Sequence, residues 1–271
     1  MRSDSSAVRL ETLRARIARI EGRLPQLPDG GDGPQARRRV QNWTTGHGVL
    51  DAALGGGLPM DGLIEVTPSG PAMLPSASAF AFMLLSRLPR RGVVLHAVTR
   101  AAAREHGALH APGLIDLGLD PGRILAVEAP HPRDMAFILE EAAQAQGLAA
   151  LIAEGPPPSF LASRRLSLLL ARRAMPCLFV PDQPLREGSA AALRLAVTPV
   201  PGPPDALDAR GPAPPAFRVT LARLRGGHPG LTLDTVFHHG DRIFTPFPRL
   251  APATAAAGAL PAAYQARRRM G

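Results

Sequence analysis

The chain of 271 residues carries 31 basic side chains, every one an arginine, against 22 acids, for a net charge of +9 at neutral pH. A chain of this length buries a sizeable core as one large or two small domains, and a composition 45% hydrophobic but only 4% aromatic makes that core aliphatic. No apolar run approaches the roughly 20 residues that span a bilayer, and the one cysteine, Cys177, excludes an internal disulfide and a cysteine-based zinc cluster; a cytoplasmic protein without a membrane segment is expected.

The first element in chain order is an amphipathic helix over residues 5–24, where Leu10, Leu13, Ile17, Ile20 and Leu24 recur at alternating spacings of three and four. That is an a/d seam, with arginines and glutamates such as Arg9, Glu11, Arg16 and Glu21 on the other faces. About two heptads make a marginal helix in isolation, so the seam needs a second surface, its own core or a partner's. Proline, glycine and aspartate in PQLPDGGDGP (25–34) preclude regular structure, and residues 25–42 read as a linker.

A βα alternation follows. Short continuous apolar strands are predicted at 63–67, 93–98, 124–128, 148–154, 177–180 and 193–198, with helices at 76–88, 132–146 and 159–174. Such strands separated by helices indicate an α/β fold with a mainly parallel sheet covered on both faces. Residues 199–216 hold seven prolines and read as an insertion. Beyond it FRVTLARLR and LTLDTVF alternate like antiparallel strands, and His238-His239-Gly240-Asp241 reads as a hairpin turn. The organisation is then an N-terminal helix (1–24), a linker (25–42), an α/β core (43–245) and an arginine-rich tail (246–271), disordered until something binds it.

Charge is concentrated at the two ends. Residues 1–40 carry nine arginines against five acids and residues 210–271 nine against two, whereas the centre is nearly neutral. The triplets Arg37-Arg38-Arg39 and Arg267-Arg268-Arg269 sit in polar or Pro/Ala-rich surroundings, as phosphate-contacting arms do.

One segment carries the functional argument. WTTGHGVLDAALGGGLPMDGLIEV (43–66) runs through a glycine-rich turn into a strand, and TPSGPAMLPSASAFAFMLLSRL (67–88) stands where a phosphate loop and its helix belong. Gly46, Leu50, Asp51, Leu54, the run Gly55-Gly56-Gly57 and Leu58-Pro59 reproduce the lead-in of the RecA recombinase core. The further series Pro112-Gly113-Leu114, Leu117-Gly118-Leu119-Asp120-Pro121, Arg123, Arg164-Arg165-Leu166, Leu224-Arg225-Gly226-Gly227 and Pro229-Gly230 resembles the ImuA family, degenerate relatives of RecA. The resemblance spans roughly residues 43–245.

The resemblance implies a RecA-like core and a role in the SOS response, in damage-induced mutagenesis and translesion synthesis. The implied partners are ImuB, a Y-family-polymerase-like protein, and an error-prone C-family polymerase, with RecA and single-stranded DNA as further candidates. RecA-like filaments grip a neighbouring protomer with an N-terminal helix, so Leu10, Leu13, Ile17, Ile20 and Leu24 are the expected partner contacts. Arg223 and Arg225 stand where RecA proteins place residues that reach a neighbour's nucleotide. With Arg267, Arg268 and Arg269 they are the expected nucleic-acid contacts.

The departures argue against catalysis. A phosphate loop needs successive backbone N–H groups, one lysine and a Ser/Thr for Mg²⁺. Here Ser69, Gly70, Pro71, Met73 and Leu74 form a loop with Met73 and Leu74 at the lysine and threonine places, and Pro71 and Pro75 have no N–H to offer. Ser76 is expected to cap the following helix. Glu154 occupies the place of the Mg²⁺-holding carboxylate, but Pro156-Pro157-Pro158 follows at once, and a structural role is expected. No general base follows the strand GVVLHAV, where Thr99 and Arg100 stand. His106 and His110 share an i, i+4 spacing with no third ligand, and Glu140 and Glu141 read as a solvated face. No cofactor, metal or catalytic residue is therefore expected. Two rival readings are a SulA-like inhibitor of cell division and a divergent ATPase with arginine in place of the lysine.

Overall fold

The computed structural model describes residues 42–90, 92–183, 188–204 and 211–247, all within Val40–Gly271, the second of two compact units. The predicted N-terminal helix, nearly all of the linker, and the tail beyond residue 247 lie outside the described residues. In chain order the elements are β1 (Asn42–Trp43), α1 (Gly48–Ala53), β2 (Leu58–Pro59), β3 (Gly62–Pro68), α2 (Leu74–Leu85), β4 (Val93–Thr99), α3 (Arg100–His106), α4 (Ala111–Asp116), β5 (Ile124–Ala129), α5 (Asp134–Gln144), β6 (Leu148–Gly155), α6 (Phe160–Arg173), β7 (Pro176–Pro181), β8 (Leu193–Val200), β9 (Ala216–Leu224), β10 (Thr232–His238) and β11 (Ile243–Pro246). Among the described residues β3 to β11 form one sheet in the order β11-β10-β9-β8-β3-β7-β6-β4-β5. The strands from β8 across to β5 are parallel, and β9, β10 and β11 extend the sheet antiparallel.

The strand pattern explains the layers. In β3, Ile64 and Val66 pack with Phe80, Leu84 and the other apolar residues of α2, while Leu63 packs on the opposite face with Leu139 of α5 and Leu166 and Leu170 of α6. Every residue of β7 and all but the first of β6 are buried, as strands covered on both faces require. From β8 onward one face suffices. Leu193, Leu195 and Val197 join the α2 side with Phe217, Val219 and Leu221, whereas Arg194, Ala196 and Thr198 are half-exposed.

α2 is apolar nearly all round and correspondingly buried, because the lead-in covers its outer side. Trp43, Leu50, Leu54 and Leu58 pack there, and the Trp43 indole N–H donates to the Leu84 carbonyl at 3.2 Å. Asp51 knits this entrance together. Its carboxylate accepts from the Thr45 amide and hydroxyl, both at 2.8 Å, from the Gly46 amide at 3.2 Å, and from the Thr44 hydroxyl. Gly46 has φ +88°, and a Cβ there would lie 2.7 Å from Cβ of Ile243 in β11. Gly57, at φ +121°, sits so close to the Trp43 carbonyl that a side chain would overlap it. The lead-in motif is thus a packing device that joins α1, α2 and the far edge of the sheet.

The six strands predicted at 63–198 are all present, each extended by one or two residues, the two antiparallel segments are each displaced by one residue, and the His238–Asp241 hairpin joins β10 to β11. Three expectations change. β8 runs two residues into the proline-rich stretch, where Pro199 pairs with Phe217 and Val200 with Ala216, because an antiparallel partner secures them. β11 lacks an alternation long enough to be read as a strand, and its pairing with β10 creates it. Finally, α2 begins at Leu74, so Ser76 lies inside it and cannot be its cap; the N-cap is Met73, without a side-chain hydrogen bond.

Removing the Asp51 carboxylate strands the buried Thr45 donors. Asp51→Ala is expected to lower unfolding stability by about 2–3 kcal/mol, measured by chemical denaturation, with Asp51→Asn losing less.

Candidate functional site

The loop between β3 and α2 lies at the carboxyl end of the parallel strands, beside β7 and β8, where open α/β sheets place their ligands. Its backbone is turned to internal use. The Ser69 amide donates to Val197 at 3.1 Å, Pro71–Met73 form a 3-10 turn with the Met73 amide on the Gly70 carbonyl at 2.9 Å, and the Leu74 amide donates to Pro71. With Pro71 and Pro75 lacking donors, at most the Gly70 and Ala72 amides remain to face a phosphate. Met73 is 36% exposed, and Leu74, 4% exposed, is an anchor of the core. The proline-initiated turn feeds directly into the helix, which is why the cap expected at Ser76 is not needed.

A cavity of about 320 Å³ adjoins the loop, lined by Thr67, Ser69, Gly70, Asp182, Gln183 and Arg194 among others. Its charges do not suit a triphosphate. The Arg194 Nε donates at 2.7 Å to Glu65, its cross-strand neighbour, whose side chain is completely buried. Both are thereby neutralised, although Oε1 of Glu65 has no partner. Asp182 places a carboxylate at the cavity with its Oδ1 buried and unpartnered. Burial raises its pKa above the ordinary value, against the opposing pull of its own backbone N–H.

The remaining candidates fall into structural places. Glu154, the penultimate residue of β6, is 8% exposed and meets the buried His96 of β4, Nε2 to Oε1 at 3.0 Å, with the Phe82 ring of α2 5.5 Å from the imidazole. The carboxylate in the metal-holding place is therefore occupied by a neighbouring imidazole. Thr99 caps α3 by accepting from the Ala102 amide, and Arg100 pairs with Glu128 at 2.6 Å. Among the described residues no group of His, Cys, Asp and Glu has the makings of a metal site. His106 and His110 do not share a helix: His106 ends α3, Gly107 turns the chain at φ +84°, and His110 caps α4 through Nδ1. Glu140 is not simply solvated, since Arg165 of α6 donates to it through Nε and Nη2 at 3.1 and 3.0 Å.

Arg223 and Arg225, the expected nucleic-acid contacts, converge on the segment before β8. Arg223 donates to the Ser189 carbonyl at 2.6 Å and Arg225 to the Ala190 carbonyl. The same segment is held from the other side, the Ser167 hydroxyl donating to Ala190 and the Ala190 amide to the Ser163 hydroxyl. Sequence reading missed Glu65, His96 and Asp182, because a carboxylate or imidazole inside an apolar run acquires its meaning from the strand beside it. The partner seam Leu10, Leu13, Ile17, Ile20 and Leu24 and the tail arginines Arg267, Arg268 and Arg269 lie outside the described residues.

A phosphate-loop topology at the carboxyl edge of a parallel sheet with an antiparallel extension defines a RecA-like α/β protein. The crystal structure of the RadB recombinase aligns with a TM-score of 0.50 and 13% identity, over 76% of this chain and 100% of that one, a likeness of fold. No family model matches the chain. Protein ImuA from two strains of Caulobacter vibrioides is 36% identical over 190 residues, covering 65% of this chain and 75% of each relative. The chain belongs to the ImuA family.

The raised pKa of Asp182 fixes the sign of a pH effect. The folded state binds its proton more tightly than the unfolded state, so stability is lost as pH rises from the ordinary value of 3.8 through the folded value, and the loss persists above it. Asp182→Asn is expected to raise the thermal midpoint at pH 7, with the difference from wild type vanishing in acid below that ordinary value.

Proposed function

We propose that this chain is a non-catalytic, RecA-like accessory protein of the DNA-damage response that supports damage-induced mutagenesis and translesion synthesis. Its partner is a Y-family-polymerase-like protein of the ImuB kind, working beside an error-prone C-family polymerase. The observation that carries the non-catalytic part is the loop after β3. It has neither lysine nor hydroxyl at the required places, most of its amides are committed internally, and the half-buried Asp182 carboxylate borders the adjoining cavity. An incoming triphosphate would exchange water for repulsion and too few donors. Titration of the purified full chain with a fluorescent ATP analogue and Mg²⁺ is expected to show no saturable binding. Saturable binding lost on altering residues 69–74 would overturn this part and favour the divergent ATPase.

Docking has support on two surfaces. The a/d seam at 10–24 needs a second surface to be stable, which a partner can supply. In the core, α5 and α6 expose Phe137 at 66%, Leu161 at 69% and Leu168 at 56%. Between the N-terminal ends of these helices opens a cavity of about 310 Å³ walled by Met135, Leu139, Pro157 and Leu166. Large apolar side chains exposed on two packed helices suit a protein interface. DNA contact, through Arg223, Arg225 and the tail arginines, belongs to the same reading, RecA being a further partner. Pull-down of the polymerase-like partner is expected to be lost in Leu13→Asp/Ile17→Asp and weakened in Phe137→Asp, with circular dichroism unchanged in both. Unchanged capture by both variants would discard these surfaces.

A further inference from the structure

At the end of the sheet opposite the phosphate loop, a cavity of about 370 Å³ opens where α2 ends and β4 and β5 begin. Arg90, Arg123 and Arg242 border it over an aliphatic floor that includes Leu88 and Ile124. The three guanidinium groups come from three separate segments, and each is placed by local backbone structure.

Arg242 stands in the β10–β11 turn at φ +54°. Its carbonyl accepts from Arg87 Nη1 at 2.8 Å, while Arg87 Nε donates to the Thr44 carbonyl at 2.8 Å, so Arg87 pins the turn to the lead-in. The Arg242 guanidinium lies directly against Gly118, at φ +74°, where a side chain would overlap Nη1. Arg123 closes the 3-10 turn Pro121–Arg123, its amide returning to the Asp120 carbonyl at 3.0 Å. Arg90 follows Pro89 beyond the end of α2. The glycine and the Leu-Asp-Pro-x-Arg run that help carry the family resemblance therefore build this cavity.

Among the described residues none of these three side chains has a hydrogen bond or ion pair. The acid lining the cavity is Asp120, whose Oδ1 accepts from the Gly122 amide at 2.9 Å, and Asp116 and Asp241 are exposed neighbours in the chain. Cations brought together without matching counter-charge repel one another, and an anion that enters relieves that repulsion. The guanidinium fork matches phosphate oxygens pairwise, and the aliphatic floor strengthens the attraction by excluding water. We infer that this cavity binds a phosphate group, supplied by the backbone of single-stranded DNA or by a free nucleotide. The inference stands apart from the docking role, because it concerns the other end of the sheet and requires no protein partner.

The test uses the full chain with inorganic pyrophosphate, AMP and fluorescein-labelled oligothymidine as probes. Pyrophosphate is expected to raise the thermal midpoint of wild type and to leave that of Arg90→Gln/Arg123→Gln unmoved. Should the double variant fail to fold, Arg90→Gln alone, a change at a half-exposed side chain, is expected to diminish the shift. If DNA is the source, the salt slope of oligothymidine affinity falls by about 0.7 for each arginine removed; if a nucleotide is the source, AMP reproduces the pyrophosphate shift and the slope stays fixed. Absence of any pyrophosphate shift in wild type, or an equal shift in wild type and variant, overturns the site. Oligothymidine binding that survives the double variant with its slope intact then leaves DNA contact to other arginines.

Discussion

Amide donors in the β3–α2 loop are spent on the protein itself, and the character of the site follows from that commitment. A phosphate cradle requires several N–H groups to point at one external anion. In this chain the Ser69 amide extends the ladder to β8, and those of Met73 and Leu74 close a 3-10 turn started by Pro71. That turn drops Leu74 into the core and starts α2 two residues earlier than the sequence suggests, which binds the loop to the packing of a helix that is buried along most of its length. Restoring a cradle would mean unmaking the loop, the helix start and part of the core together.

The surrounding ionisable groups fit the same logic. A nucleotide site keeps charged groups available for ligand, whereas here they are matched to each other. Glu65 meets Arg194 across neighbouring strands, and Glu154 meets His96 in the same way. Burial makes such pairing obligatory for carboxylates that face no ligand. Glu65 keeps one oxygen without a partner despite its arginine, as does Asp182, and at Asp182 burial raises the pKa. The likeness to RecA-type recombinases is accordingly one of scaffold, with the proposed work of the molecule moved to its surfaces and to its opposite end.

Residues that carry the family resemblance turn out to hold backbone together. Asp51 gathers the turn before α1, Gly57 admits the Trp43 carbonyl, and Arg223 and Arg225 hold the Ser189–Ala190 segment from one side while Ser163 and Ser167 hold it from the other. Gly118 is flat so that Arg242 can lie on it. These motif residues thus have structural reasons for their identity that involve no ligand, and presence of the motif is no measure of nucleotide chemistry.

Apolar runs, their lengths and the proline and glycine punctuation determined the α/β class, the strands β3 to β10 and the main helices, because burial on one or two faces leaves a periodic trace along the chain. The missing lysine and the prolines likewise made the loop's departure from the phosphate-loop pattern legible in the sequence. Tertiary structure alone decided which charges meet: Glu65 with Arg194, His96 with Glu154, Glu140 with Arg165, and the gathering of Arg90, Arg123 and Arg242 around one cavity. These contacts join residues far apart in the chain, and strand order, which sets their distances, leaves no periodic mark on the sequence.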